Sequence, residues 1–375
     1  MTAPADLDIR YPHCTVPVFF ADGREPAELE RAVIRSLAPD RIALVSDANV
    51  FARHGYALET LLAQAGHVVA TVVLQPGEGT KSPEVAAEVA GAFCENGLSR
   101  RSLVLALGGG VVGDLAGFVA GIYMRGVPYV QVPTSLLAQV DSAIGGKVGI
   151  NLHDAKNMLG LFYQPAAIWV DARYLATLPE AEYHGAFGEV LKYALTLDAT
   201  LYERLAALPA IAAVRGDTAF NAELVRRCVA RKADVAAADE TEQGLRRVLN
   251  FGHTAGHALE AAGNFRRFRH GEAVAVGMIM AQELGRRLGC VDAAWAAASI
   301  ACIRRLLPPP ALAGLDAEAL LAAMTHDKKW SGSRRCFVFS TGPGRHRIED
   351  DVPAEAVAEA LRHVLAADPA ASPSA

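Results

Sequence analysis

The sequence lacks any apolar run near the roughly 18 residues needed to cross a bilayer. Its longest candidates, such as AVAVGMIMA (273–281), suit a buried helix, so no membrane partner is expected. Cysteine is sparse and scattered: six residues, at 14, 94, 228, 290, 302 and 336, with no Cys-x-x-Cys pair. That excludes a zinc cage built on cysteine and suggests reduced thiols in the cytoplasm. Positive charge is not in excess. With 36 Lys and Arg against 41 Asp and Glu the formal net charge is −5, which argues against a nucleic-acid partner. The opening MTAPADLDIRYPHC carries two aspartates and no apolar core, so a secretory leader is not expected there. There is no internal repeat.

What is present describes a globular protein. Hydrophobic residues make up 52% and charged residues 21% of 375 positions, enough for two domains with real cores. Five short β-rich runs punctuate the first half: RIALVS (41–46), HVVATVVL (67–74), SLVLAL (102–107), YVQVP (129–133) and AAIWVD (166–171). Helix-period segments lie between them, such as SPEVAAEVAGAFCENG, with Ser82 as N-cap and Gly97 as stop. This alternation predicts an α/β domain with a parallel, helix-covered sheet over 1–172, binding ligands at the strands' carboxyl ends. Beyond 172 the pattern is helical, apart from a short β piece at RCFVFS, and predicts a mainly α-helical domain over 173–365. The tail AADPAASPSA (366–375) is rich in small residues and proline and is expected to be disordered.

Four stretches carry chemistry. SLVLAL runs into GGGVVGDLAGFVAG, where glycines let the backbone approach a ligand at a helix N-terminus, an arrangement that suits a pyrophosphate. The order is not G-x-G-x-x-G, and a plain tight turn is the alternative. Asp114 could cap that helix or touch the ligand. Asp47, ending a strand, could bind a ribose hydroxyl or cap the next helix. PGEGTKS (76–82) adds Glu78 and Lys81 on a glycine turn.

QVPTSLLAQVDSAIGGKVGINLHDAKNMLG (131–160) gathers Thr134, Ser135, Asp141, Lys147, Lys156 and Asn157 around Gly145 and Gly146. That mixture reads as a polar, anion-holding site, against a solvated loop. Glu189 and Lys192 lie three apart on one helical face bordered by apolar residues. From Arg226 to His270, nine cations face five acids, a surplus of +4 in an acidic chain, which suits a phosphorylated substrate. His253, His257 and His270 fall in that segment. His253 and His257 share a helix face, but position 254 is Thr where a metalloprotease helix needs Glu. Two histidines and a carboxylate could hold a catalytic zinc with open positions, or the ring pair could do acid–base work or fill a core.

GGGVVGDLAGFVAGIYMRG, PTSLLAQVDSAIGGKVGIN, KNMLGLFYQP, LATLPEAE, GEVLKYAL, DETEQGLRRVLNFGHTAGHALE and HGEAVAVGM together resemble the 3-dehydroquinate synthase family of sugar-phosphate cyclases, in family order over roughly 40–340. The resemblance implies a Rossmann-like N-terminal domain and a helical metal-binding domain. It implies zinc or cobalt held by Glu189, His253 and His270, with His257 left for substrate or proton relay. NAD would lie over Gly109, Gly110, Val111, Val112, Gly113 and Asp114, with Asp47, Glu78, Lys81, Thr134, Ser135, Lys147, Lys156, Tyr174 and Thr177 around it. Substrate would be gripped by Asp141, Lys147, Asn157, Lys192, Lys232, Arg246, Asn250, His257 and Lys328, with Arg125 reaching across from a neighbouring subunit of a homodimer. Asp141, Lys147, Glu189, Lys192, Lys232, Arg246, Asn250 and His257 would form the catalytic set.

The implied substrate is a seven-carbon keto-acid sugar phosphate. A ring hydroxyl is oxidised by NAD, the metal favouring its deprotonation; phosphate is eliminated; the hydride returns; the ring reopens and closes as an aldol. Departures from the family pattern are Ser135 for a second Thr, HGAFGEVLKYAL around the acid, and the late STGPGRHR. The alternatives are an aminodehydroquinate-type cyclase of secondary metabolism, a metal-dependent oxidoreductase of the glycerol-dehydrogenase type, and a non-catalytic ligand-binding relative. The retained GHTAGH pair argues against the valiolone-type branch, and Lys147 with Asn157 against the inosose-forming one.

Overall fold

The structure, a computed structural model, describes residues 5–21, 23–153, 155–264, 266–325 and 335–367. Lys328 and the tail beyond 367 lie outside the described residues. The chain forms two compact units, 1–179 with 218–240, and 180–217 with 241–375.

The first unit is built on a seven-stranded sheet. Its strands are β1 (Leu7–Arg10), β2 (Thr15–Phe20), β3 (Ile42–Asp47), β4 (Val69–Leu74), β5 (Leu103–Gly108), β6 (Tyr129–Pro133) and, later in the chain, β9 (Ala167–Val170). The order is β1-β2-β9-β6-β5-β3-β4, parallel throughout except for the antiparallel pair β1–β2. Period-two alternation explains the burial of both faces. Leu103, Leu105 and Leu107 of β5 join a core with Ile42, Leu44 and Trp169. Val104 and Ala106, pointing the other way, join Val45, Phe93, Leu115 and Val119.

The helix Pro83–Glu95 is N-capped by Ser82, whose hydroxyl accepts from the Val85 amide, and the chain leaves it through Gly97 at φ +67°. Between β6 and β9 stands an antiparallel hairpin of β7 (Lys147–Leu152) and β8 (Ala155–Phe162). The expected loop over 131–160 therefore contains regular structure. The helix Thr218–Ala238 also packs with this unit, where Lys232 pairs with Asp141 at 2.8 Å. A boundary at 172 had assigned it to the helical domain. Helical periodicity marks an apolar face but not the core that the face joins.

The described residues of the second unit are helical apart from a small hairpin of β10 (Phe337–Gly342) and β11 (Arg345–Glu349) at the expected β piece. Its central helices are Glu180–Thr196 and His270–Arg287. The first is buried continuously from Ala186 to Thr196, and the second keeps only its two ends accessible, as expected for helices enclosed by others.

Candidate functional site

In the second unit, three helices converge on one point. Glu189 sits in mid-helix 180–196, while His253 and His270 are the first residues of helices His253–Ala262 and His270–Arg287. Each of the three follows or precedes a glycine at a helix crossing. A Cβ on Gly188 would stand 2.6 Å from Gly271 Cα, and one on Gly271 only 1.6 Å from the Gly185 carbonyl oxygen. A Cβ on Gly277 would stand 1.9 Å from the Gly252 carbonyl oxygen, and Gly252 has φ +81°. Backbones pack directly on backbones here, which only glycine permits, and the ligand-bearing residues are drawn together.

Glu189 Oε1 lies 3.2 Å from His253 Nε2 and 3.4 Å from His270 Nε2. It is buried and has no hydrogen-bond partner. The outer ring nitrogens are tied elsewhere. His253 Nδ1 donates to the Phe251 carbonyl at 3.2 Å, and His270 Nδ1 is 3.2 Å from Glu260 Oε2. Both Nε2 atoms are thus turned inward by outer partners, the usual dressing of metal-binding histidines. Ligands about 2.1 Å from a tetrahedral ion stand about 3.4 Å from one another, close to the separations found here. An orphaned carboxylate oxygen facing two imidazole nitrogens at that spacing fits a divalent cation. His257, Glu260 and His270 also converge within 4.8 Å, but Glu260 meets His270 through the outer nitrogen.

The electrostatics agree. Burial pushes the Glu189 carboxyl upward, but Lys192 and the two imidazoles outweigh it and hold the group well below the usual range. Lys192 is itself buried and bonded to Glu189 Oε2. The pair is therefore internal, not a surface bridge. Burial takes His253 down to about 4 against the pull of Glu189. His270 goes the other way: burial disfavours its charge, yet Glu189 and Glu260 raise it to about 10. The exposed His257 ring stands edge-on to His253 with centroids 5.4 Å apart. Arg246 is buried, and Asn250 donates to Glu242 Oε1 at 2.7 Å.

In the first unit, the carboxyl ends of β3, β5 and β6 carry Asp47, Gly108 and Pro133. Successive connections leave β3 and β5 in opposite directions across the sheet, so a switch point lies between them. There Gly109 caps the helix Gly110–Ile122, whose first amides have no intrahelical acceptor. No side chain intrudes before Val111, and the nearest neighbour of a Cβ on Gly109 would be Ser135 Oγ at 3.4 Å. Val112 and Gly113 are buried against the sheet. A bare, amide-lined helix start at a switch point fits a dinucleotide's pyrophosphate.

The other predicted residues of this unit are placed as follows. Asp47 Oδ1 accepts from the Asn49 and Val50 amides, so it caps the next helix. Lys81 Nζ donates to Asp114 Oδ2 at 2.7 Å and to Asn157 Oδ1 at 2.6 Å. Burial raises the Asp114 carboxyl in spite of Lys81. Glu78 Oε1 accepts from Asn151. The Thr134 amide donates to the Gly108 carbonyl, which locks the ends of β5 and β6 together. Thr177 Oγ1 is 2.8 Å from His54 Nε2, and the His54 ring meets Tyr174 edge-on at 4.8 Å. Lys147, Lys156 and Arg125 are exposed, Arg125 at φ +68°.

Comparison with known proteins covers both units. Residues 71–185 match the 3-dehydroquinate synthase N-terminal model and 186–330 the 3-dehydroquinate synthase C-terminal model. The chain is 42% identical to the 3-dehydroquinate synthase of Thermosynechococcus vestitus over 89% of its own length and 92% of that protein's. It belongs to the 3-dehydroquinate synthase family. The 3-dehydroquinate synthase of Ruegeria pomeroyi is 41% identical over 91% of this chain and 93% of its own. Among solved structures, a 2-epi-5-epi-valiolone synthase from Streptomyces hygroscopicus subsp. jinggangensis, with NAD+ and Zn2+ bound, superposes with a TM-score of 0.84. It is 27% identical and covers 98% of this chain and 100% of its own. The fold is thus α/β, with the parallel-sheet unit and the helical unit expected of this family.

Three residues that the sequence does not single out bond to candidate site residues: Glu260 to His270, Glu242 to Asn250, and Asn151 to Glu78 and Asn157. Glu260 had a legible signal. It follows His257 by three residues and His253 by seven, which puts all three on one helix face. Glu242 is brought in by a bend and Asn151 by an irregularity of the β7–β8 hairpin, neither of which spacing reveals.

Proposed function

We propose that the chain converts 3-deoxy-D-arabino-heptulosonate 7-phosphate to 3-dehydroquinate and inorganic phosphate, a carbon–oxygen lyase reaction on a phosphate ester. The observation that carries the reading is the cage of Glu189, His253 and His270, in a chain with full-length relatives of that name. When bound, NAD supplies a transient hydride acceptor and a zinc or cobalt ion a Lewis acid at the hydroxyl being oxidised.

The chain's own residues do the rest. Glu189, His253 and His270 hold the cation, and Lys192 keeps Glu189 ionised. The turn and helix start from Gly109 to Gly113 hold the pyrophosphate through the amides that precede Gly113, whose own amide donates to the Gly109 carbonyl, with Asp47, Glu78, Lys81, Asp114, Thr134, Ser135, Lys156, Tyr174 and Thr177 around the dinucleotide. Lys147, Asn157, Lys192, Lys232, Arg246 and Asn250 grip the carboxylate and phosphate of the substrate, as cations and amides suit oxyanions. Asp141 orients Lys232 through their ion pair. His257, whose ring is accessible, carries the proton that leaves the carbon beside the new ketone.

The working unit is a homodimer in the cytoplasm. Exposed Ile122, Met124, Met158, Leu159 and Phe162, on the β7–β8 hairpin and the helix end packed against it, support a second copy covering that face beside Arg125. A scattered set of six cysteines with no Cys-x-x-Cys pair suits a reducing compartment, and no described helix is long and apolar enough to cross a membrane. The test is His253→Ala. Zinc content and phosphate release should fall together; wild-type levels of both would refute the cage.

A further inference from the structure

We propose that Asn151 is a positioning residue. It holds Asn157 in its substrate-binding geometry and ties it to the dinucleotide side of the first unit. The proposal deepens the function given above and rests on it for the identity of the substrate.

Asn151 lies at an irregularity of the β7–β8 hairpin, where the register shifts between Ile150 and Leu152. Released from the ladder, it makes three contacts. Its amide nitrogen donates to the Lys81 carbonyl at 2.8 Å. Nδ2 donates to Glu78 Oε1 at 2.9 Å, and Oδ1 accepts from the Asn157 amide at 2.9 Å. Asn157 stands at φ +55°, a left-handed conformation that costs an ordinary residue free energy unless its surroundings impose it. Asparagine is among the few residue types that tolerate it, and the bond from its amide to Asn151 holds it there. Asn157 Oδ1 then accepts from Lys81 Nζ, whose other partner is Asp114. The result is a closed circuit, Asn151 to Asn157 to Lys81 and back through the Lys81 carbonyl. With Oδ1 engaged, the Nδ2 donors of Asn157 are the part of its amide offered to an anion.

The residue type follows from the two jobs. Only a side chain with a donor and an acceptor on one short stem can donate to the Glu78 carboxylate while accepting from a backbone amide. Aspartate keeps the acceptor and loses the donor. Alanine keeps neither. The two substitutions therefore separate the substrate-side contact from the dinucleotide-side contact.

The experiment uses the full chain with NAD and zinc added, as wild type, Asn151→Ala, Asn151→Asp, Asn157→Ala and the double alanine variant. KM and kcat are read from phosphate release, the NAD dissociation constant from calorimetry, and Tm from circular dichroism. In Asn151→Ala, KM should rise about tenfold, the size of one lost hydrogen bond, with kcat changed less and NAD bound more weakly. Asn151→Asp should return KM to within about twofold of wild type while NAD binding stays weakened, because Glu78 now faces a carboxylate. In the Asn157→Ala background, Asn151→Ala should add nothing to KM. An unchanged KM in Asn151→Ala, an aspartate variant as impaired in KM as the alanine one, or additive effects would each overturn the proposal. Should wild type release no phosphate, the functional reading fails, and NAD affinity still decides: unchanged in Asn151→Ala, it removes the proposed tie.

Discussion

Gly188→Ala tests how the cage is built. The new Cβ would lie 2.6 Å from Gly271 Cα and 2.7 Å from its carbonyl oxygen, where ordinary contacts begin at 3.4 Å. Both atoms are helix backbone, so neither can rotate away. The two helices must part by about 0.8 Å, the difference between those distances. Glu189 follows Gly188 and His270 precedes Gly271, so the separation of 3.4 Å between their ligand atoms opens by a similar amount. A metal site tolerates about 0.2 Å in its ligand distances, so zinc affinity should fall by at least about tenfold. Stability changes less. Overpacking costs about 1–3 kcal/mol, and alanine's better helix propensity returns about 1 kcal/mol. The assay is a zinc dissociation constant from chelator competition, with Tm of the metal-free protein alongside. Gly91→Ala is the control, because it lies in the helix Pro83–Glu95 with nothing within 4 Å of its Cβ. It should leave zinc binding unchanged and raise stability slightly. Wild-type zinc affinity in Gly188→Ala would refute the idea that close helix contact sets the cage.

Two further substitutions probe the surroundings of the ligands. Glu260→Gln removes the carboxylate from His270 Nδ1 and should weaken zinc about 10–100-fold while leaving the fold intact, read by the same competition assay. Lys192→Met strands a buried carboxylate. The metal-free protein should lose about 3–5 kcal/mol in denaturant unfolding. Without Lys192 the Glu189 carboxyl loses the largest influence that lowers it and moves upward, so zinc competes more with a proton there, and its affinity should fall more steeply as pH decreases.

Much of the sheet unit was legible because its signals are local. SLVLAL entering GGGVVG is a strand meeting a bare helix start, and the structure has β5, Gly109 and the helix from Gly110 in that place. The β7–β8 hairpin was hidden although KVGINL alternates, because AKNMLGLF does not and both strands carry lysine, glycine and asparagine, residues depleted in strands. β1 is only four residues long, and β2 was missed where Pro17 interrupts the run TVPVFF, which demotes a strand signal although β2 lies inside the sheet. In the helical unit, spacing left the histidine pair open among ligand, base and core. Family resemblance implies different roles for His253 and His257, and the structure places the two rings differently. Two glycine crossings turn His253 Nε2 toward Glu189, while His257, one turn on, remains exposed. Such crossings depend on which helices meet, which helical periodicity does not encode.

The most direct test measures phosphate release and NADH absorbance together, with zinc, catalytic NAD and the seven-carbon keto-acid phosphate. One phosphate per substrate consumed, with no net NADH, is the predicted result. NADH accumulating in step with substrate, or no phosphate from this substrate while an amino analogue yields it, would contradict the account.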